Sequence, residues 1–154
     1  MPAFIRNCVL FILVFLLQTM VFAHAPLRPD LFVVFLVWAT ARARFFTIIG
    51  WGFALGVLLD FFSGQSFFNT VAYTAAAIAM ASMPRGVFKD VFSLGLVDVV
   101  VGMLVVHGTY AVLTSMFLAQ PIFVPWWALI VLIIYDAVIY VLGTRCGGSW
   151  QDAL

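Results

Sequence analysis

The stretch GFALGVLLDFFSG, residues 52–64, decides how this chain is read. It consists of Gly, Ala, Leu, Val and Phe up to a single carboxylate, Asp60, near its end. Either the segment is not membrane-embedded, or Asp60 occupies a position where a partner repays the cost of placing an acid in hydrocarbon. The rest of the chain selects the second reading.

Of the 154 residues, 66% are apolar and only 8% charged, and the mean hydropathy is +1.22. A soluble domain keeps roughly a quarter of its residues charged, so this chain cannot clothe a water-facing surface. A spanning helix takes about 20 mostly apolar residues, which leaves room for six spans and no soluble domain. The net charge of +1 argues against a nucleic-acid footprint. The two cysteines, Cys8 and Cys146, stand at opposite ends of the chain with neither metal-ligand nor disulfide spacing. They read as inert thiols.

Six apolar runs follow: about Cys8–Ala25, Asp30–Ala41, Phe45–Phe62, Phe67–Met83, Val91–Ala119 and Pro125–Gly143. Pro26 and Pro29, Arg42 and Arg44, residues 63–66, Pro84-Arg85-Gly86 and Gln120-Pro121 punctuate them. The second run is short and is expected to borrow residues from both flanks; the fifth is long enough to tilt or to protrude. With the N-terminus inside, Arg6, Arg42, Arg44, Arg85, Lys89 and Arg145 are cytoplasmic, six of the seven basic residues, and only Arg28 is outside. The positive-inside rule therefore sets both termini in the cytoplasm and Trp126-Trp127 at the outer interface. Residues 1–25, ending Ala23-His24-Ala25, also have the form of a cleavable leader. The long apolar run and the following Pro26 argue against cleavage, which intact mass would detect.

All six acidic residues are Asp. Counted along their helices at about 1.5 Å per residue, Arg28, Asp30 and Asp60 fall near the outer surface. There they are expected to meet, either as an ion pair locking the second and third spans together or as an outward-facing site. Asp98 and Asp136 fall at similar depth in the inner half, where they can approach, bond helix to helix or share a proton. His107 and Gln18 read as packing residues with hydrogen bonds. Gly52 and Gly56 form a GxxxG, and Ala72, Ala75, Ala76 and Ala79 give the fourth span a small-residue face. Such faces pack helices internally or receive a partner's helix. The chain has no phosphate-binding Gly loop, no HExxH and no Ser/His/Asp set, so neither an enzyme, a cofactor nor a metal is expected.

LRPDLFVVFLVWATAR (27–42), GFALGVLLDFFSG (52–64) and NTVAYTAAAIA (69–79) together resemble the bacterial rod shape-determining protein MreD family. Its members share an Arg-Pro-Asp start to the second span and a Gly-rich third span ending in Leu-Asp. Size and six-span layout are similar over nearly the whole chain; the last two spans match only in hydropathy, and Phe67-Phe68-Asn69 stands where many members have Leu-Gly. The resemblance implies an all-α integral membrane protein, residues 1–154 forming one six-helix domain. Its expected fold is that of the substrate-binding components of energy-coupling-factor transporters. It implies a non-enzymatic inner-membrane scaffold of the cell-elongation machinery, bound to the transmembrane helix of MreC and through it to MreB, RodA and a class B transpeptidase. Arg28, Pro29, Asp30, Gly52, Gly56 and Asp60 are the positions matching the family motif. The alternative is a membrane uptake component that captures a vitamin-like ligand, with Asn69, Thr70 and Tyr73 facing its pocket.

Overall fold

The computed structural model describes residues 3–21, 29–40, 43–64, 67–84, 91–117 and 125–146. Among them are six α-helices and no strand: α1 Ala3–Leu16, prolonged by a π-helical turn at Leu17–Val21, α2 Leu31–Thr40, α3 Phe45–Ser63, α4 Phe68–Ala81, α5 Val91–Phe117 and α6 Trp126–Cys146. Long apolar segments choose the helix because it satisfies every interior N–H and C=O within the segment. Three helical stretches, Phe45–Ser63, Phe92–Phe117 and Trp126–Arg145, are long and apolar enough to cross a membrane. At most 28% of any of these spans is buried. The large side chains they turn outward include Phe46, Phe61 and Trp126.

Successive helices run antiparallel. Gly52 of α3 lies against Tyr73 and Ala77 of α4, while Gly56 lies against Asn69 and Thr70. Met80 of α4 meets Gly102 of α5, and Tyr140 of α6 meets Gly95. The short α2 is the centre of the bundle and packs on α1, α3, α5 and α6. Eight of its ten residues are buried, as expected of a helix that is apolar all round. Phe32 and Phe35 take Phe11 and Phe15 of α1 on one side, Phe35 takes the edge of Trp51 on another, and Trp38 stacks on Tyr140 at 6.5 Å.

One expectation about length is corrected. The second run does not extend towards its N-terminal flank: Pro29 and Asp30 are outside the helix, which starts at Leu31. The fourth helix has 14 residues and so rises about 21 Å at 1.5 Å per residue. Both are short for the same reason. Their first N–H groups find side-chain acceptors inside the protein, so neither helix has to continue to a water-facing end.

Candidate functional site

Asp60 lies four residues before Gly64, whose left-handed conformation (φ 64°) ends α3. Eight residues after Asp60, α4 begins at Phe68, following Phe67, which adopts a left-handed φ of 49° and makes no side-chain cap. The missing cap comes from α3. Asp60 Oδ1 accepts from the Asn69 backbone N–H and from Asn69 Nδ2, both at 2.9 Å. Asp60 Oδ2 accepts from the Thr70 N–H at 2.8 Å and from the Thr70 hydroxyl at 2.5 Å. A carboxylate at a helix N-terminus satisfies orphan donors and complements the positive end of the helix dipole. The partner of Asp60 in this structure is therefore the start of α4.

One turn further along α4, Tyr73 is buried. Its hydroxyl donates to the Asp30 carboxylate, 2.8 Å from each oxygen. Asp30 is the N-cap of α2: its Oδ1 accepts from Phe32 N–H at 3.2 Å and Val33 N–H at 3.4 Å. The remaining donors are met from two other helices. Leu31 N–H donates to Gln18 Oε1 in the π-helical turn, and Asp30 N–H to Asp136 Oδ2 in the middle of α6, each at 3.2 Å. Asp136 is fully buried. The start of α2 is thus set at mid-length of α6, held by groups from α1, α4 and α6. Removing the Tyr73 hydroxyl (Tyr73→Phe) is expected to cost about 2 kcal/mol, the scale of a hydrogen bond to a charged group. Reversible unfolding in bicelles measures it.

Between these two levels lies a cleft of about 250 Å³ lined by Gln18, Pro29, Asp30, Phe32, Leu59, Ser63, Asn69, Tyr73 and His107. Asn69 is held by its bonds to Asp60 and Ser63 and by the Tyr110 hydroxyl, which donates to Asn69 Oδ1. His107 turns Nδ1 back on the Met103 carbonyl at 3.0 Å. Because a carbonyl only accepts, Nδ1 carries the proton, and Nε2 is left as the ring's other nitrogen.

The expected trio is thus resolved into two levels. Asp30 and Asp60 each cap a different helix, one turn of α4 apart, and Arg28 lies outside the described residues. Pro29 is buried beside Asp30. Gly52 and Gly56 are used inside the protein: a Cβ on either would stand 2.7 Å from a backbone oxygen of α4. They are closed to a partner's helix. Gly95 against Tyr140 sets a register that brings Asp98 and Asp136 to similar heights on α5 and α6, with Asp136 at the middle of its helix, and both are buried. Asp136 is drawn to Asp30. His107 packs as expected and also faces the cleft. Of the alternative's pocket residues, Asn69 and Tyr73 line the cleft, while Thr70 is turned to Asp60.

Sequence reasoning missed the caps. Asp30 followed by an apolar helical run is an N-cap signal on its face, and Asn69-Thr70 after a turn marks a helix start. Gln18 and Tyr73 as acceptor and donor for α2 carry no local signal. No protein-family model, curated protein or solved structure matches the chain. Among the described residues, no three His, Cys, Asp or Glu side chains gather as a metal site.

Proposed function

We propose that this chain is a non-enzymatic membrane scaffold of the MreD kind, crossing the inner membrane six times with both termini in the cytoplasm. It binds the transmembrane helix of MreC and through it serves MreB, RodA and a class B transpeptidase in lateral wall synthesis. One observation carries the reading: Asp30, Gly52, Gly56 and Asp60, four of the positions the resemblance singles out, each join one helix to another, and Pro29 is buried beside Asp30. Their bonds and close approaches hold the helices to one another. The orientation is supported by Arg44 and Arg145, which fall at one end of the alternating bundle, and Trp126 and Trp127, which fall at the other.

Because the GxxxG is occupied by α4, the partner's helix needs a different surface. The groove between α1 and α3 over α2 has an unfilled volume of about 350 Å³. Its lining is apolar and includes Phe11, Trp51, Leu58 and the small Ala54. Filling it with Ala54→Trp is expected to reduce co-purification with MreC several-fold and to widen the cells, with the variant's unfolding midpoint unchanged. Undiminished association would remove the groove from the role; failure of the unaltered protein to associate with MreC would remove the scaffold reading.

The cleft is the observation that favours the uptake alternative. At about 250 Å³ it falls below the range of roughly 300–1,000 Å³ typical of pockets for drug-sized ligands. A vitamin-sized molecule copurifying in stoichiometric amount would reverse this ranking.

A further inference from the structure

The cleft is built for something smaller, and the atoms it offers define what. An anion is disfavoured. The N–H groups at the start of α2, which would otherwise attract one, are engaged: Leu31 by Gln18, Phe32 and Val33 by Asp30. No Lys or Arg among the described residues lines the space. The described charges near it are carboxylates, Asp30 in the wall, Asp60 bonded to the lining residue Asn69, and Asp136 bonded to the backbone of Asp30.

The lining atoms with capacity left are mostly acceptors. Asp30 Oδ2 receives the Tyr73 hydroxyl and has further lone-pair capacity. His107 directs Nδ1 to its own helix, so Nε2 is the ring nitrogen turned away from that helix. The Tyr73 oxygen, with its proton given to Asp30, also accepts. Phe32 and Leu59 supply apolar wall. A negative field with several convergent acceptors and room for roughly eight waters at 30 Å³ each fits a group with positive charge and several N–H donors.

We propose that this cleft binds a primary ammonium group, with Asp30, Tyr73 and His107 as its acceptors. Two sources carry that chemistry, a free small amine and the head group of an ethanolamine lipid. The site is independent of the scaffold reading and of the partner groove.

The test compares ethanolamine with choline, which keeps the charge but has no N–H. The full chain is purified in detergent and its unfolding midpoint followed against each compound and against sodium chloride at equal ionic strength. Ethanolamine is expected to raise the midpoint saturably, as a ligand of the folded state does; choline and sodium are not. His107→Leu, which removes an acceptor but no helix cap, is expected to flatten the ethanolamine response, and Tyr73→Phe, which removes another of the three, to weaken it if the first variant fails to fold. Phosphatidylethanolamine and phosphatidylcholine bilayers separate the sources. A lipid occupant raises the midpoint in the former and abolishes the ethanolamine response there, whereas a free amine acts equally in both. No response to ethanolamine in detergent and in phosphatidylcholine, an equal response to choline, or a full response in His107→Leu overturns the proposal.

Discussion

Asp60→Ala is expected to remove about 3 kcal/mol of folding stability, combining a lost N-cap with buried donors left unsatisfied. The carboxylate accepts from two backbone and two side-chain donors at the start of α4. Ala leaves both N–H groups without their acceptor, in a helix whose own N-cap residue, Phe67, supplies none. Asn69 Nδ2 keeps Ser63 Oγ at 3.2 Å, so the loss is less than four bonds' worth. Asp60→Asn retains one carbonyl oxygen but presents an amide NH₂ to donors on the other side, and about half the loss is expected. The effect belongs to α4. Hydrogen exchange should therefore show Asn69 to Ala72 losing protection first, while α6 keeps its own. Equal stability of wild-type and Asp60→Ala protein in bicelles would refute the cap.

Gly56→Ala is expected to cost about 3 kcal/mol, at the upper end for overpacking by one methyl. The added Cβ would meet the Asn69 backbone oxygen at 2.7 Å and its carbonyl carbon at 2.9 Å. Backbone atoms cannot rotate aside, so α3 and α4 must separate where Asp60 reaches across. The cap and the close approach should consequently couple: the double variant Gly56→Ala/Asp60→Ala is expected to lose less than the sum of the two. Gly50 and Gly108 are the controls, since a Cβ at either meets nothing within 4 Å. Substituting Ala there is expected to be neutral or to stabilise by up to about 1 kcal/mol through helix propensity. A Gly56→Ala variant as tolerant as Gly50→Ala would mean that the helices do not touch there.

The helices themselves were legible because hydropathy is a local property. The runs drawn at 45–62 and 125–143 differ from α3 and α6 by at most three residues at either end. Asp60 could also be recognised as a residue in need of a partner, from the cost of its charge alone. The identity of the partner could not. A guanidinium at matching depth is the obvious candidate when charges are counted, but a helix start offers several N–H donors that have no symbol in the sequence. Asp30 illustrates the same point twice. Its capping of α2 is local and readable, whereas its bonds to Tyr73 and Asp136 cross 43 and 106 residues. Pattern reasoning at that range has only depth to work with, and depth placed Asp30 at the surface. In the structure α2 begins at mid-bundle because Gln18, Asp136 and Tyr73 replace the water its first turn would need.

What ties these results together is a bundle whose helices alternate in direction, with Arg44 and Arg145 at one end and Trp126 and Trp127 at the other. Single cysteines at Arg44, Arg145 and Trp126, all exposed, introduced after Cys8 and Cys146 are replaced by Ser, report this directly. In intact cells a membrane-impermeant thiol reagent is expected to label Trp126→Cys, and to label Arg44→Cys and Arg145→Cys only after the inner membrane is opened. Labelling of all three from one side, or of the arginine positions in intact cells, would contradict the arrangement.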